Sequence, residues 1–398
     1  MSQRLNLLAP EVRENPYPYY AKLRRESPVC QVDPHGFWAI SRHDDIVAVF
    51  KNTDVFSSEA CRHLSEPSWL GRSNPISNSM FLADPPRHGR LRGLANRAFT
   101  NTMLSRMEAY ARDVAMRLVE MLFQSETVEF ISEFALHLPA SLLAMMMGLD
   151  PSLQKHLKRW SDDISGAATT PPNDLVRQEE VRKSLAEREQ YVREVLQKRR
   201  SKPSNDLVSD LLQIQVEGDR LSDDELLAFF MHLLVAGLET TVFLLTHVGL
   251  ILAQDPQWFH RLRHNEVLIA RFIEEVLRYE PPAHTTLRLT TREVEVSGVQ
   301  LPANAMVLLL LASGLRDEAH YTDPERFDPE RGIPSSLAFG HGIHFCLGAP
   351  LARMEARVAL DAILSMCSRF DLAIDRLEWS NSLTMRSPLS LPLRITPI

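Results

Sequence analysis

Two stretches in which apolar and polar residues alternate predict a β-hairpin near the N-terminus. They cover residues 29–32 and 37–40, and the turn-forming residues 33–36 separate them. A second hairpin is predicted around residues 297–298, and an apolar run follows at residues 306–311. The β structure of the protein is therefore expected to be small.

Most of the chain between residues 103 and 215 has the spacing of amphipathic helices. Leu and Met recur there at steps of three and four residues, and prolines mark the breaks between helices. A further helix is predicted to end near Glu280. Residues 61–80 and 165–174 look irregular, and we expect loops there that either cover a binding site or simply connect elements at the surface.

A long helix is predicted across the most apolar part of the chain. Ser222 with Glu225 three residues later is the signature of a capping box, and Asp255 with Pro256 would end the helix. Because its residues are apolar on nearly every side, we expect the helix to be buried and to cross the middle of the molecule.

Polar residues in the middle of this helix need an explanation. Glu239, Thr240 and Thr241 are costly in a core unless they are paired or border a wet cavity, and Ala236 with Gly237 just before them removes side-chain bulk. One interpretation is a place where a ligand approaches and protons pass. The other is structural, with a threonine hydroxyl bonded back to its own helix and the glutamate paired with a buried arginine. The helix alone leaves both open.

Composition and charge exclude several classes of protein. With 44% apolar and 24% charged residues the chain is globular in character, and its net charge of -7 offers no basic field for nucleic acid. Its 398 residues are compatible with two domains or with one domain built around a large cofactor. Arg4 and Glu11 interrupt the N-terminal stretch that a signal peptide would need, and His232 and Glu239 interrupt the apolar stretch 226–253. We therefore expect a cytosolic protein without a membrane anchor.

The loop around Cys346 carries the most specific chemical signal. Phe339 and Gly342 precede the cysteine, and Gly348 follows it just before a predicted helix. Glycines let the backbone approach a flat ring and turn tightly, while amides at the start of the helix can donate to the sulfur and favour its anionic form.

Zinc is the alternative for this loop. His341, His344 and Cys346 could converge on a metal ion, but the chain has no second Cys or His cluster at a suitable spacing. The four cysteines form no close pair, which favours a reducing compartment without structural disulfides.

The loop resembles the cysteine loop of the cytochromes P450, Phe-x-x-Gly-x-x-x-Cys-x-Gly, with every fixed position filled. Other motifs of that family follow in its order, and the similarity covers nearly the whole chain. These motifs are Asp-Pro-Pro-Arg-His at 84–88 with Arg92, Ala-Gly-Leu-Glu-Thr-Thr at 236–241, Glu275-x-x-Arg278, and Pro-Glu-Arg-Phe at 324–327.

The resemblance implies a mainly α fold, a helical array with small β-sheets, as a single domain over residues 1–398. Haem b would lie between the long helix and the cysteine loop, with Cys346 as the sulfur ligand to the iron. The residues expected to bind the haem are Cys346, His88, Arg92, Ala236, Gly237, Arg288, Phe339, His344 and Gly348. The four basic side chains among them would bind the propionates.

The resemblance also implies roles for polar residues of the core. Thr240 would hold dioxygen and a water molecule, and Glu239 would assist proton delivery. Glu275 and Arg278 would form a structural ion pair that Arg326 completes. The chain has Glu239 where many members have Asp, and Leu315 where Asn is commoner.

The implied activity is a monooxygenase reaction, hydroxylation or epoxidation of an apolar organic molecule. The sequence shows no nucleotide-binding fingerprint and no iron–sulfur motif, so we expect electrons from a separate ferredoxin or flavodoxin with its NAD(P)H reductase. We expect that partner to dock near Arg353 and Arg357, and the protein to be a monomer. A peroxide-driven oxygenase and a non-enzymatic haem sensor or carrier are the alternatives, and Glu239 with Thr240 argues against both.

Substrate contacts are expected from several separate regions of the chain. They are residues 61–80, residues 165–174, Leu233 with Ala236, residues 285–287 and residues 383–384.

Overall fold

The structure is a computed structural model of the chain and describes residues 4–150, 156–157, 159–160, 163, 170–171, 173–216, 218–332 and 337–398. Of the irregular stretch predicted at residues 165–174, residues 165–169 and 172 lie outside this described part.

Helices form most of the described chain. In chain order they are α1 (Pro10–Glu14), α2 (Tyr17–Glu26), α3 (His43–Lys51), α4 (Arg87–Asn96), α5 (Asn101–Leu122), α6 (His137–Met147), α7 (Leu175–Ser201), α8 (Leu207–Gln213), α9 (Asp223–Ala236), α10 (Glu239–Gln254), α11 (Gln257–Leu262), α12 (Glu266–Tyr279), α13 (Leu311–Gly314) and α14 (Ala349–Met366). The predicted helical block is confirmed by α5 to α8, and the helix predicted to end near Glu280 is α12.

The irregular stretch predicted at residues 61–80 consists of short 3-10 turns. They are Glu59–Ser65, Ser68–Leu70, Pro75–Asn78 and Met80–Leu82. In this stretch the side chains of Glu66, Asn74 and Ser77 form hydrogen bonds with one another and with backbone amides. These bonds satisfy backbone groups that would be paired within the element in a regular helix or strand.

The strands build small sheets within the described ranges. They are β1 (Val29–Val32), β2 (Phe37–Ile40), β3 (Phe56–Ser57), β4 (Val128–Glu129), β5 (Thr286–Thr290), β6 (Val294–Val296), β7 (Val299–Leu301), β8 (Met306–Leu309), β9 (Cys367–Leu372) and β10 (Pro392–Pro397). One sheet has the order β1-β2-β8-β5-β3, another β4-β10-β9, and β6 pairs with β7.

Both predicted hairpins are confirmed. In the first, Val29 pairs with Ile40 and Val32 with Phe37. In the second, β6 and β7 are joined at Ser297 and Gly298, whose φ angles of 48° and 79° form a left-handed turn. The apolar run after it becomes β8, which lies parallel to β2 and so joins distant parts of the chain in one sheet.

The long central helix is present, but it is interrupted. Ser222 and Glu225 form the predicted capping box. The prediction of one continuous helix was wrong at Gly237 and Leu238, because the Leu238 amide bonds to the Val235 carbonyl three residues back and the helical ladder tightens there. By length and composition residues 223–254 would suffice to cross a membrane, but in this fold α10 packs in the core against α12, α14 and β9.

Two kinds of core hold the elements together. A large helical core contains the buried faces of α5, α6, α9, α10, α12 and α14, with α14 lying along α5. Smaller clusters cover both faces of the β1-β2-β8-β5-β3 sheet. The start of α14, where the cysteine loop ends, is therefore anchored to the most extensive packing of the molecule.

Candidate active site

Residues 339–348 form a tight loop that leads into α14. The Cys346 amide donates to the Phe339 carbonyl at 2.9 Å and closes the loop. Gly340 and Gly342 have φ angles of 75° and 69°, the left-handed region that favours glycine. A Cβ at Gly342 would also lie 3.1 Å from the Phe50 carbonyl oxygen, so the loop depends on glycine there.

The Cys346 sulfur lies at the N-terminus of α14. Burial raises the pKa of the Cys346 thiol, and the backbone amides of Gly348 and Ala349 with the guanidiniums of Arg92 and Arg353 partly offset that rise. Cys346 nevertheless keeps solvent-accessible surface, whereas Cys30 is half-buried and the other two cysteines are buried. A residue that is surrounded by protein and yet accessible lines a cleft, so the sulfur is placed to meet a ligand.

Four basic side chains from three elements meet beside this loop. The rings of His88, on α4, and His344, in the loop, lie 4.3 Å apart. Burial lowers the pKa of His344 to about 3, and the positive charges of Arg288, His88 and Arg92 add to that effect. The Arg92 guanidinium donates to the Phe345 carbonyl at 2.8 Å, which ties α4 to the loop.

Among the described residues, the negative charge beside this basic cluster is smaller than the positive charge of the cluster. Asp84 is the nearby carboxylate that acts on His88 and Arg288, and it already accepts hydrogen bonds from Ser57 and Ser58. The Nε2 atom of His344 is buried without a hydrogen-bond partner among the described residues. The arrangement can therefore bind an anion with more than one charge.

The polar positions of the central helix are partly accessible. Ala236 is exposed, and Gly237, Glu239 and Thr240 keep some accessible surface, although their neighbour Leu238 is buried. The Thr240 hydroxyl donates to the Ala236 carbonyl at 2.7 Å, as the structural interpretation of this helix expects. Its remaining accessible surface still leaves the hydroxyl oxygen able to meet a ligand.

The Glu275–Arg278 pair is completely buried. Two parallel hydrogen bonds of 2.8 Å join the side chains, and Arg278 also donates to the carbonyls of Leu315, Pro324 and Arg326. Leu315 accepts its hydrogen bond from Arg278 through the backbone carbonyl. The presence of Leu instead of the commoner Asn at this position therefore does not disturb that hydrogen bond.

The prediction that Arg326 completes this network was wrong. Its side chain is 68% exposed and pairs with Asp328. Arg331 occupies the predicted role, with its Nε 3.0 Å from Glu275 Oε1 and its side chain 9% exposed. Arg331 was missed because only the folded chain brings it to Glu275.

Two of the regions expected to contact substrate meet in the structure. The Thr285 hydroxyl donates to the Leu383 carbonyl at 2.9 Å, and the His284 amide donates to the Thr384 carbonyl at 2.8 Å. No role was predicted for His232 or Phe81, whose rings stack with centroids 5.1 Å apart. The sequence does show that His232 lies four residues before Ala236, and hence on the same side of a helix.

The zinc alternative finds no support at the loop. In the described part of the chain, the side chains close enough to share a metal ion are His43, Asp44 and His320, and none belongs to the cysteine loop.

Comparison with known proteins decides the family. A family model described as Cytochrome P450 matches residues 4–378. The chain belongs to the cytochrome P450 family. Cytochrome P450 109 of Bacillus spizizenii is 36% identical over 386 residues, which cover 96% of this chain and 92% of that protein.

Other cytochromes P450 support the same assignment. Erythromycin C-12 hydroxylase of Saccharopolyspora erythraea is 36% identical over 356 residues, which cover 89% of this chain and 87% of that protein. The solved structure of CYP109Q5 from Chondromyces apiculatus superposes with a TM-score of 0.91 at 38% identity and covers 100% of both chains. The mainly helical P450 fold and the monooxygenase class predicted from sequence are thereby confirmed.

Cytochromes P450 are haem-thiolate enzymes, and the residues of this chain fit haem b. The accessible sulfur of Cys346 suits the iron, and the basic cluster with its unpartnered His344 nitrogen suits the two propionate carboxylates. As in the bacterial cytochromes P450 that it resembles, electrons come from a redox partner and the substrate is an organic molecule.

Proposed function

We propose that this cytochrome P450 inserts one oxygen atom of dioxygen into an apolar organic substrate, by hydroxylation or epoxidation, and that it works in the cytoplasm as a monomeric, single-domain protein. Its electrons would come from a separate ferredoxin or flavodoxin with an NAD(P)H reductase. The observation that carries the proposal is Cys346, accessible at the start of α14 with two backbone amides directed at its sulfur.

Bound haem supplies the activation of dioxygen. The amides of Gly348 and Ala349 stabilise negative charge on the Cys346 sulfur, as donors do at an anionic acceptor. The side chains of Arg92 and Arg288 would hold the propionates. Together these residues would hold the haem between the loop and the central helix.

Thr240 and Glu239 would deliver protons on the substrate side of the haem. The Thr240 hydroxyl already has its proton directed at the Ala236 carbonyl, so its oxygen is free to accept a hydrogen bond from a water molecule. Glu239, on the adjacent position of the helix, would return protons to that water from its carboxyl group.

The test is the carbon monoxide spectrum of the reduced protein. The wild type should show the red-shifted Soret band that marks a thiolate on haem iron, and Cys346→Ser should lose it. Cys367→Ser is the matched control, because Cys367 is buried at the far end of α14. A wild-type protein that binds haem but lacks the shifted band would contradict the proposal.

A further inference from the structure

His232 is a polar side chain on an otherwise apolar helix. It lies on α9, where residues 226–231 are all buried, and it keeps accessible surface together with Leu233 and Ala236. Residues four apart lie on the same face of a helix. His232 is therefore one turn before Ala236, on the side of the helix that is accessible at Ala236 and Thr240.

The His232 ring stacks on Phe81. The two ring centroids lie 5.1 Å apart and the planes are inclined by only 20°. Phe81 belongs to the 3-10 turn Met80–Leu82 and is 47% exposed, an unusual exposure for a phenylalanine that packs against a core helix. We call these two side chains the His232–Phe81 pair.

The imidazole of His232 is a neutral group with unused hydrogen-bonding capacity. Among the described residues no hydrogen bond or ion pair to His232 is found, and its ring contact is with Phe81. Burial lowers the pKa of His232 to about 4, so at neutral pH the ring offers one N–H donor and one acceptor nitrogen. Neither ring nitrogen is a buried atom without a partner, so both reach accessible space where a ligand can bond to them.

We propose that the His232–Phe81 pair is a subsite that binds a neutral oxygen-bearing group of the substrate, a ketone or a hydroxyl. The inference rests on the proposed function and names a chemical feature of its substrate. The imidazole hydrogen-bonds the oxygen, and the face of Phe81 packs against the adjoining hydrocarbon. A carboxylate is disfavoured, because no described cation lies beside the neutral ring to balance its charge.

The position of the subsite also bears on where the substrate is oxidised. His232 precedes Ala236 by four residue steps along the helix, a rise of roughly 6 Å along the axis. An oxygen held at His232 would direct a carbon about one helical turn away toward the position beside Ala236 and Thr240. The enzyme should thus oxidise carbons remote from the oxygen-bearing group.

Binding titrations of the holoprotein test the subsite. The probes are cyclododecanone, cyclododecane and dodecanoate, and the readout is the change that each causes in the haem absorption spectrum. The wild type should bind the ketone about 3- to 10-fold more tightly than the hydrocarbon, the range that one neutral hydrogen bond provides. Dodecanoate should bind more weakly than the ketone.

Three variants separate the hydrogen bond from packing. His232→Phe keeps an aromatic ring against Phe81 and should abolish the preference for the ketone while leaving binding of the hydrocarbon unchanged. His232→Gln restores a donor and an acceptor and should recover part of the preference. His260→Gln, at an exposed position of α11, should behave like the wild type.

The outcomes distinguish this inference from the proposed function. Equal affinity of the wild type for ketone and hydrocarbon, failure to bind either, or an unchanged preference in His232→Phe would overturn the subsite. A missing shifted carbon monoxide band would instead overturn the proposed function, whatever the probes do.

Discussion

Thr240 and Thr246 form a natural pair for testing proton delivery. Each hydroxyl donates to the carbonyl four residues earlier, at 2.7 Å and 2.8 Å, but Thr246 is completely buried whereas Thr240 is accessible. Replacing Thr240 with Ala should slow product formation by about 100-fold, the lower end of what positioned acid catalysis contributes. The consumed electrons should appear as hydrogen peroxide instead.

The measurement is the ratio of product and hydrogen peroxide to NAD(P)H consumed. Thr246→Ala removes the same kind of hydrogen bond and should leave this ratio unchanged. Equal ratios in the wild type and in Thr240→Ala would contradict the role of Thr240, and would favour a peroxide-driven enzyme.

Glu355 should make the stability of the protein depend on pH. The side chain is 3% exposed on α14, its Oε2 has no hydrogen-bond partner among the described residues, and burial raises the pKa of its carboxyl group to about 8. The folded state therefore keeps the proton to higher pH than the unfolded chain does. Its stabilising effect is complete below the unfolded pKa near 4.5 and is lost as the pH rises through 8.

Glu355→Gln should remove this dependence, because the amide keeps the shape and cannot ionise. Between pH 6.5 and 8.5 the unfolding free energy of the wild type should fall by up to about 1.4 kcal/mol per pH unit relative to the variant. Urea unfolding of both proteins at several pH values in this window measures the difference. If the two unfolding free energies depend on pH in the same way, Glu355 is not buried as a neutral acid.

Residue roles set by close neighbours in sequence could be predicted, and roles set by the fold could not. Cys346 was predictable because its glycines and the helix amides lie within a few positions of it. Arg331 was not, because its partner Glu275 is 56 residues away and the motif pointed to Arg326 instead. His232 was counted only as an interruption of an apolar stretch, since its stacking on Phe81 exists only in the folded chain.

At the scale of elements, Arg331 joins helix α12 to the irregular segment that follows α13. Replacing Arg331 with Gln should destabilise the protein by about 3 kcal/mol, because a buried carboxylate then loses one of its charged partners. Arg326→Gln should have a much smaller effect on stability than Arg331→Gln, because the Arg326–Asp328 pair is exposed to solvent. Urea unfolding of both variants measures the loss of stability. Equal destabilisation by the two substitutions would show that the Arg326 side chain does belong to the network.

Helices and hairpins were predictable to the extent that their signals are local. The capping box at Ser222 and the turn at Ser297 and Gly298 are short-range features, and both are confirmed. The break at Gly237 and Leu238 was missed, because the apolar pattern continues through both residues and only the backbone bonding changes there.

At the scale of the whole molecule, the surface near Arg353 and Arg357 is the expected docking site of the redox partner. Arg353 and Arg357, on the first turns of α14, were predicted to meet an acidic partner. In the structure Arg353 pairs with Glu274, and Arg357 lies 2.7 Å from Glu108. Their side chains are 37% and 36% exposed, so part of each guanidinium remains available while its charge is partly balanced.

Replacing Arg353 and Arg357 together with Glu should slow electron transfer from an acidic ferredoxin by about 10-fold at low ionic strength, and less at high salt. Stopped-flow reduction of the protein measures the rate. Arg369→Glu, a more exposed arginine that is likewise ion-paired, on β9 beyond the far end of α14, should have no effect. An unchanged rate in the double variant would exclude docking at these arginines.

The segment at residues 315–332 contains no helix or strand, and two arginine side chains bind several of its backbone carbonyls. Arg278 and Arg331 donate to carbonyls at Leu315, Thr322, Asp323, Pro324 and Arg326. This stretch can hold its shape only while α12 presents Arg278, so a molecule in which α12 has not yet docked should leave the stretch open to proteases.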